Sequence, residues 1–313
     1  MLARIAHELY WLGRNLARAE FTARAVEAVY HAELQGAADV GAGGISFGAG
    51  GLLAMLGAAQ EGQERGGPLM QLALDPEHPG SMVASVERAR AGARTVRDVI
   101  SAEMWEAINT TTLQLRRRGR TGSWDAASGP YLSAQYVKER SALIWGIASR
   151  SMLRDEARCF LDAGGQIEVA DMVLRMLRVS LPSAQGGSAD GQALILLHAV
   201  GGFHAYLRAV TAPPNAHPVA RFLLFERTYP DSVAACVDEL QIVLSSADAG
   251  PRNSKPVLRI GRLAADLDFQ RRALPERAEL GGICEDVQQE LARIDGDIAE
   301  RYFAGAPPMA GVR

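Results

Sequence analysis

The feature that most constrains the fold is an apolar seam at the N-terminus. Leu2, Ile5, Leu9, Leu12, Leu16, Ala19, Ala23, Val26 and Tyr30 recur in steps of three and four. Such spacing puts every member on one face of a helix and on alternating faces of a strand, so the first thirty residues must form one long helix. Further along, no segment combines β-branched enrichment with period-two alternation, and only 6% of residues are aromatic, so an all-α chain is expected.

Turn and cap signals divide the rest. The glycine-rich stretch from Gly36 to Gly51 reads as a loop. It lacks the G-x-x-x-x-G-K-[ST] pattern and the strand–G-x-G-x-x-G context of a phosphate cradle, so no nucleotide site is expected. A short helix ends near Glu64, and Ser81 and Ser101 are candidate N-caps for the two helices that follow. Arg116 to Arg118 would sit at a helix C-terminus, where the macrodipole favours cations. A helical stretch from Tyr131 to Leu181 is expected to break near Ser149 to Arg154, followed by a loop from Pro182 to Asp190. Helices are then expected near 191–211, 217–227, 231–246, 255–274 and 280–303.

Two matches occur at one offset. WLGRNLARAEFTAR against LDAGGQIEVADMVLR pairs Gly13 with Gly164, Leu16 with Ile167, Ala19 with Ala170, Glu20 with Asp171 and Arg24 with Arg175. LALDPEHPGSMVASVE against LLFERTYPDSVAACVD pairs Leu72 with Leu223, Pro79 with Pro230, Ser81 with Ser232 and Glu87 with Asp238. Both lie 151 positions apart, close to half of the 313 residues. Tandem helical units, 1–150 and 151–313, packed as one compact unit are therefore expected.

Composition excludes several classes. The 33 basic and 36 acidic residues leave a net charge of −3, too little to gather nucleic acid or anionic lipid. The three cysteines, Cys159, Cys236 and Cys284, lie far apart with no C-x-x-C spacing, and read as reduced, buried thiols of a cytoplasmic protein. The most apolar windows, Ile45 to Ala59 and Ala193 to Phe203, are shorter than the roughly 20 residues a bilayer requires, and the charged N-terminus lacks a signal-peptide h-region. Neither H-E-x-x-H nor Glu-x-x-His occurs, so no metal and no other cofactor is expected. An all-α chain also has no strand from which the nucleophile elbow of a G-x-S-x-G motif could turn.

The polar residues of interest lie beside the seam. Glu20 should be half-buried with Arg24 as its i, i+4 partner, and Asp171 with Arg175 repeats the geometry. If the two acidic helices face one another, Arg18, Glu20, Glu168 and Asp171 would line a polar cavity. Arg14 is grouped with them as a ligand-binding candidate, and Glu20 or Glu168 is the candidate general base. The same charges admit another reading, as buried ion pairs that fix helix register. Three further clusters read as solvated helix faces or as additional ligand contacts: Trp105, Glu106 and Asn109; Lys138, Glu139 and Arg140; and Arg154, Asp155 and Glu156.

The set ELYWLGRNLARAEFTAR, EMWEAIN, YVKERS, MLRDEARCFLDAGGQIEVADMVLR and YPDSVAACVDEL resembles the bacterial alpha-E family over Met1 to about Phe303. The resemblance implies a helical domain associated with a circularly permuted ATP-grasp ligase and often with a transglutaminase-like cysteine protease. It thus implies a part in ATP-dependent amide or peptide bond formation. The family's E-R-A-[ED]-N core reads Ala17, Arg18, Ala19, Glu20, Phe21 in the first half and Glu168, Val169, Ala170, Asp171, Met172 in the second. Each copy lacks one charge and its Asn. Three roles remain open: an accessory of the ligase, an enzyme acting through a Glu/Asp/Arg cavity, or a structural scaffold.

Overall fold

In the computed structural model, residues 1–35, 48, 51–52, 55–56, 67–120, 128–181, 189–248 and 254–305 are described. Among them there are twelve helices and no strand. They are α1 (Ala3–Leu34), α2 (Gly67–Leu74), α3 (Met82–Thr95), α4 (Ala102–Arg120), α5 (Gly129–Ser151), α6 (Glu156–Ser180), α7 (Ala189–Ala199), α8 (Phe203–Ala209), α9 (Ala216–Phe225), α10 (Val233–Ala247), α11 (Lys255–Ala273) and α12 (Arg277–Tyr302).

The seam forms α1, and its members Leu9, Leu12, Leu16, Ala19, Ala23 and Val26 are all buried. Each large aliphatic among them contributes about 1.5–3 kcal/mol by leaving water. Helix α1 is the axis of the first half, packed on by α2, α3 and α5, and α6 is the axis of the second, packed on by α9, α10 and α12. The two axes cross against each other in the interior.

Small residues make that crossing close. A Cβ built on Gly13 would lie 2.0 Å from the Leu161 carbonyl oxygen, and one on Gly164 would lie 1.9 Å from the Tyr10 carbonyl oxygen. The contacts are reciprocal, because Tyr10 and Leu161 stand 151 positions apart, as Gly13 and Gly164 do. The bounds of α2, α3, α4 and α5, moved on by 151, fall within three residues of those of α9, α10, α11 and α12.

The caps follow the same spacing. Ser81 Oγ accepts from Ala84 N and Ser232 Oγ accepts from Ala235 N, both at 3.1 Å. Ser101 Oγ likewise accepts from Met104 N at 3.1 Å, capping α4.

The expected break near Ser149 to Arg154 occurs between α5 and α6, at 152–155. The helix expected over 191–211 is instead two, because Gly201 takes φ +72°, a left-handed conformation that ends α7. Residues 189 and 190, placed in a loop by the sequence pattern, belong to α7. Most of the glycine-rich stretch and the short helix ending near Glu64 lie outside the described residues. Cys236 and Cys284 are buried as expected, but Cys159 is only half-buried.

Candidate functional site

At the crossing, one face of the α1/α6 pair is filled with charge. Glu168, on α6, is 1% exposed. Arg18 Nε donates to its Oε1 at 2.5 Å and Arg14 Nε to its Oε2 at 2.8 Å, so both carboxylate oxygens are engaged across the crossing. Arg14 also donates from Nη1 to Asp295 Oδ2 at 3.0 Å and stacks over the Trp11 ring, 4.9 Å from its centroid. Tyr10 donates its hydroxyl to Asp295 Oδ1 at 2.5 Å. Arg88, from α3, reaches in to Asn15 Oδ1 at 3.0 Å and the Pro79 carbonyl at 2.7 Å.

Burial alone would push the Glu168 carboxyl up, but the adjoining Arg18 and Arg14 guanidinium groups outweigh it and hold it at about 2. Burial and the neighbouring Asp295 push the Tyr10 phenol up. Arg88 is pulled down by burial and by Arg18, yet a guanidinium starts from so high a value that it stays charged. Glu168 is therefore an ionised, fully engaged acceptor with no proton to exchange near neutrality.

The opposite face of the crossing is open. Ala17 and Val169 stand there, each 151 positions from Glu168 and Arg18 respectively, and both line a cleft of about 310 Å³. Its charged lining is Glu20, Asp162, Asp231, Glu239, Arg24 and Arg158. Arg24 donates to Glu20 Oε1 at 2.5 Å, to Asp231 Oδ2 at 3.1 Å and to the Val200 carbonyl at 3.1 Å. Burial pushes the Glu20 and Asp231 carboxyls up, because one guanidinium shared between two carboxylates cannot offset the desolvation of both. Arg158 donates to both oxygens of Asp162, at 2.7 and 2.8 Å, and to the Ala148 carbonyl at 2.7 Å. Burial raises Asp162 as well.

The four charges expected to share one cavity do not share it. Arg18 and Glu168 meet as an ion pair on the filled face, and Glu20 lines the open cleft. Asp171 bonds Arg175 Nε at 2.7 Å and Gln288 Nε2 at 2.8 Å, and Arg175 borders a separate groove with Arg178 and Glu285. The split is geometric. Arg18 and Glu20 are two apart on α1, about 200° round the helix, and so face nearly opposite sides, while Glu168 and Asp171, three apart on α6, stand about 60° from each other and meet different neighbours.

The remaining candidates lie elsewhere. Glu106 is exposed, and Asn109 accepts from Arg90 Nε at 2.7 Å on the α3/α4 surface. Lys138 is paired with Glu27. Arg154 is exposed, and Asp155 caps α6 by accepting from Ala157 N and Arg158 N. None of these joins the crossing. Sequence reasoning did not select Asp295, Arg88, Asp162, Asp231 or Trp145. Only Asp162 carried a local signal, its i, i+4 spacing from Arg158.

Fold and site together define an all-helical protein held by a buried Arg–Glu pair across two crossed helices. A family model described as "a predicted alpha-helical domain with a conserved ER motif", Alpha-E, matches residues 1–303, and the chain belongs to that family. Uncharacterised proteins of Mycobacterium bovis and Mycobacterium tuberculosis are 24% identical to it over 239 residues, which is 74% of this chain. The matched stretch is 27% of each relative, so the chain corresponds to about a quarter of their length. No solved structure matches. No described helix is long and apolar enough to cross a membrane.

Proposed function

We propose that this protein is the non-nucleotide-binding accessory of an ATP-grasp amide or peptide ligase system, acting in the cytoplasm beside a circularly permuted ligase and a transglutaminase-like protease. The observation that carries this reading is the state of Glu168. Its two oxygens are occupied by Arg14 and Arg18, and its carboxyl is held at about 2. A general base must be free to take a proton near the working pH, so this pair acts as a structural clasp and the bond-forming chemistry belongs to a partner. The length of the mycobacterial relatives, most of which lies outside the matched stretch, fits a helical unit working beside other domains. The reading includes two tandem units, 1–150 and 151–313, supported by the reciprocal contacts of Gly13 and Gly164. Neither nucleic acid nor a membrane is a partner.

An enzymatic role, if the chain has one, falls to the cleft rather than to Glu168, since Glu20 there is a carboxylate raised by burial. Co-purification of the tagged full chain with the products of its neighbouring genes tests the main reading. The expected result is an ATP-grasp protein in the complex, amide formation that rises when the chain is added, and no ATP turnover by the chain alone. Failure to recover such a ligase would overturn it. A Glu20→Gln variant that still supports the partner's activity would remove the enzymatic reading.

A further inference from the structure

The two faces of the crossing differ in what fills them. On the closed face, the guanidinium groups of Arg14 and Arg18 bond Glu168, Arg88 lies close enough to feel both Arg18 and Glu168, and Arg14 stacks over the indole of Trp11. The positions 151 further on are Gly165, Val169 and Glu239, and all three line the open cleft. Trp145 takes up the place beside Gly165 and Glu239 puts a carboxylate at the place of Arg88, so the open space is the one beside Val169 that Arg18 fills on the other face. An indole is present here too, with Trp145 lying 3.0 Å from where a Cβ on Gly165 would stand.

Charge in the cleft is unbalanced. Four carboxylates face two arginines, and both arginines are already committed to carboxylates and backbone carbonyls of the wall. An anion entering the cleft would meet no free cation and a net negative surface. A cation would meet an acidic lining whose members Asp162, Asp231 and Glu20 are incompletely compensated for their burial. It would also meet an aromatic side chain, a surface that attracts cations.

We propose that the cleft beside Ala17 and Val169 binds a small organic cation, a guanidinium or primary ammonium group on a short aliphatic stem, in the space that Arg18 fills on the opposite face. The stem packs on Val169 and Trp145 while the head group is received by the carboxylates. This inference does not depend on the ligase reading, since it concerns what the cleft holds and not what the ligand undergoes.

Titration of the full chain with agmatine, and separately with glutarate, followed by calorimetry, tests the proposal. One saturable agmatine site and no glutarate site are expected. Val169→Arg supplies an internal guanidinium at the position equivalent to Arg18 and should lower agmatine affinity by at least about tenfold. Glu239→Lys changes an exposed residue at the rim, leaves the core untouched, and should weaken binding several-fold even if Val169→Arg does not fold. Absence of saturable agmatine binding, equal binding of glutarate, or an affinity unaltered by Glu239→Lys and by a folded Val169→Arg would each overturn it.

Discussion

Glu168 is a buried charge held across the crossing, with both of its oxygens occupied by Arg14 and Arg18. Removing one partner of a buried ion pair leaves the other uncompensated, which costs about 3–5 kcal/mol. Glu168→Gln, which keeps the shape but not the charge facing Arg14 and Arg18, is therefore expected to lower the free energy of unfolding in urea by about that amount at neutral pH. The pH dependence has a definite sign. The Glu168 carboxyl is depressed from its ordinary 4.5 to about 2, so its contribution is complete above 4.5 and is lost as pH falls to about 2. Glu20 and Asp231 act oppositely, since burial raises them and their protonation on acidification favours the folded state. Wild-type stability should thus hold or rise on first acidification and then fall, while its advantage over Glu168→Gln shrinks between pH 4.5 and about 2. A gap between the two proteins that stays constant across that window would contradict the assignment. Because Ala17 and Val169 already occupy the equivalent places, the double change Arg18→Val with Glu168→Ala should cost less than Glu168→Ala alone. A double-mutant cycle measures the coupling directly.

Among the helices, α1 and α6 approach so closely that their backbones touch, and this depends on two glycines. At Gly13 and at Gly164 a methyl group would stand about 2 Å from a carbonyl oxygen of the other helix. Since neither backbone can yield locally, Gly13→Ala or Gly164→Ala should separate the axes and cost at least about 3 kcal/mol, seen as a large fall in melting temperature. Gly146, on α5, has nothing within 4 Å of such a methyl. There the helix propensity of alanine acts unopposed, so Gly146→Ala should raise stability by about 0.5–1 kcal/mol. The contrast separates packing from propensity in one measurement. What the sequence made legible was local in the same sense. The three-four seam foretold α1, Ser81 and Ser101 foretold caps, and the i, i+4 spacings foretold the Glu20–Arg24 and Asp171–Arg175 pairs. The end of α7 was missed because an apolar run masked the left-handed turn at Gly201. Arg14 with Asp295 and Arg24 with Asp231 join residues 281 and 207 positions apart. No local pattern encodes such a pairing, and so the neighbours that each face of the crossing meets could not be read in advance.

Across the whole molecule, the charges of the clasp are divided between the halves. The first half supplies Arg14, Arg18 and Arg88, and the second supplies Glu168 and Asp295. Two copies of the first half, crossed in the same way at Gly13, would bring four buried arginines, Arg14 and Arg18 from each copy, against alanines with no carboxylate between them. Two copies of the second would bury a pair of Glu168 side chains without a guanidinium. Each arrangement is costly, because like charges removed from water repel and lack compensation. Only the mixed pairing satisfies both sets, so the division specifies which helix meets which. Cutting the chain between α5 and α6 and co-expressing the fragments should give a 1:1 complex by sedimentation, with neither fragment forming a stable dimer alone. Adding Ala17→Glu to the first fragment places a carboxylate beside Arg18, at the position equivalent to Glu168, and should let that fragment pair with itself. A stable homodimer of the unmodified first fragment would show that the arginine–glutamate division does not choose the partner, and that the close approach of the glycines suffices.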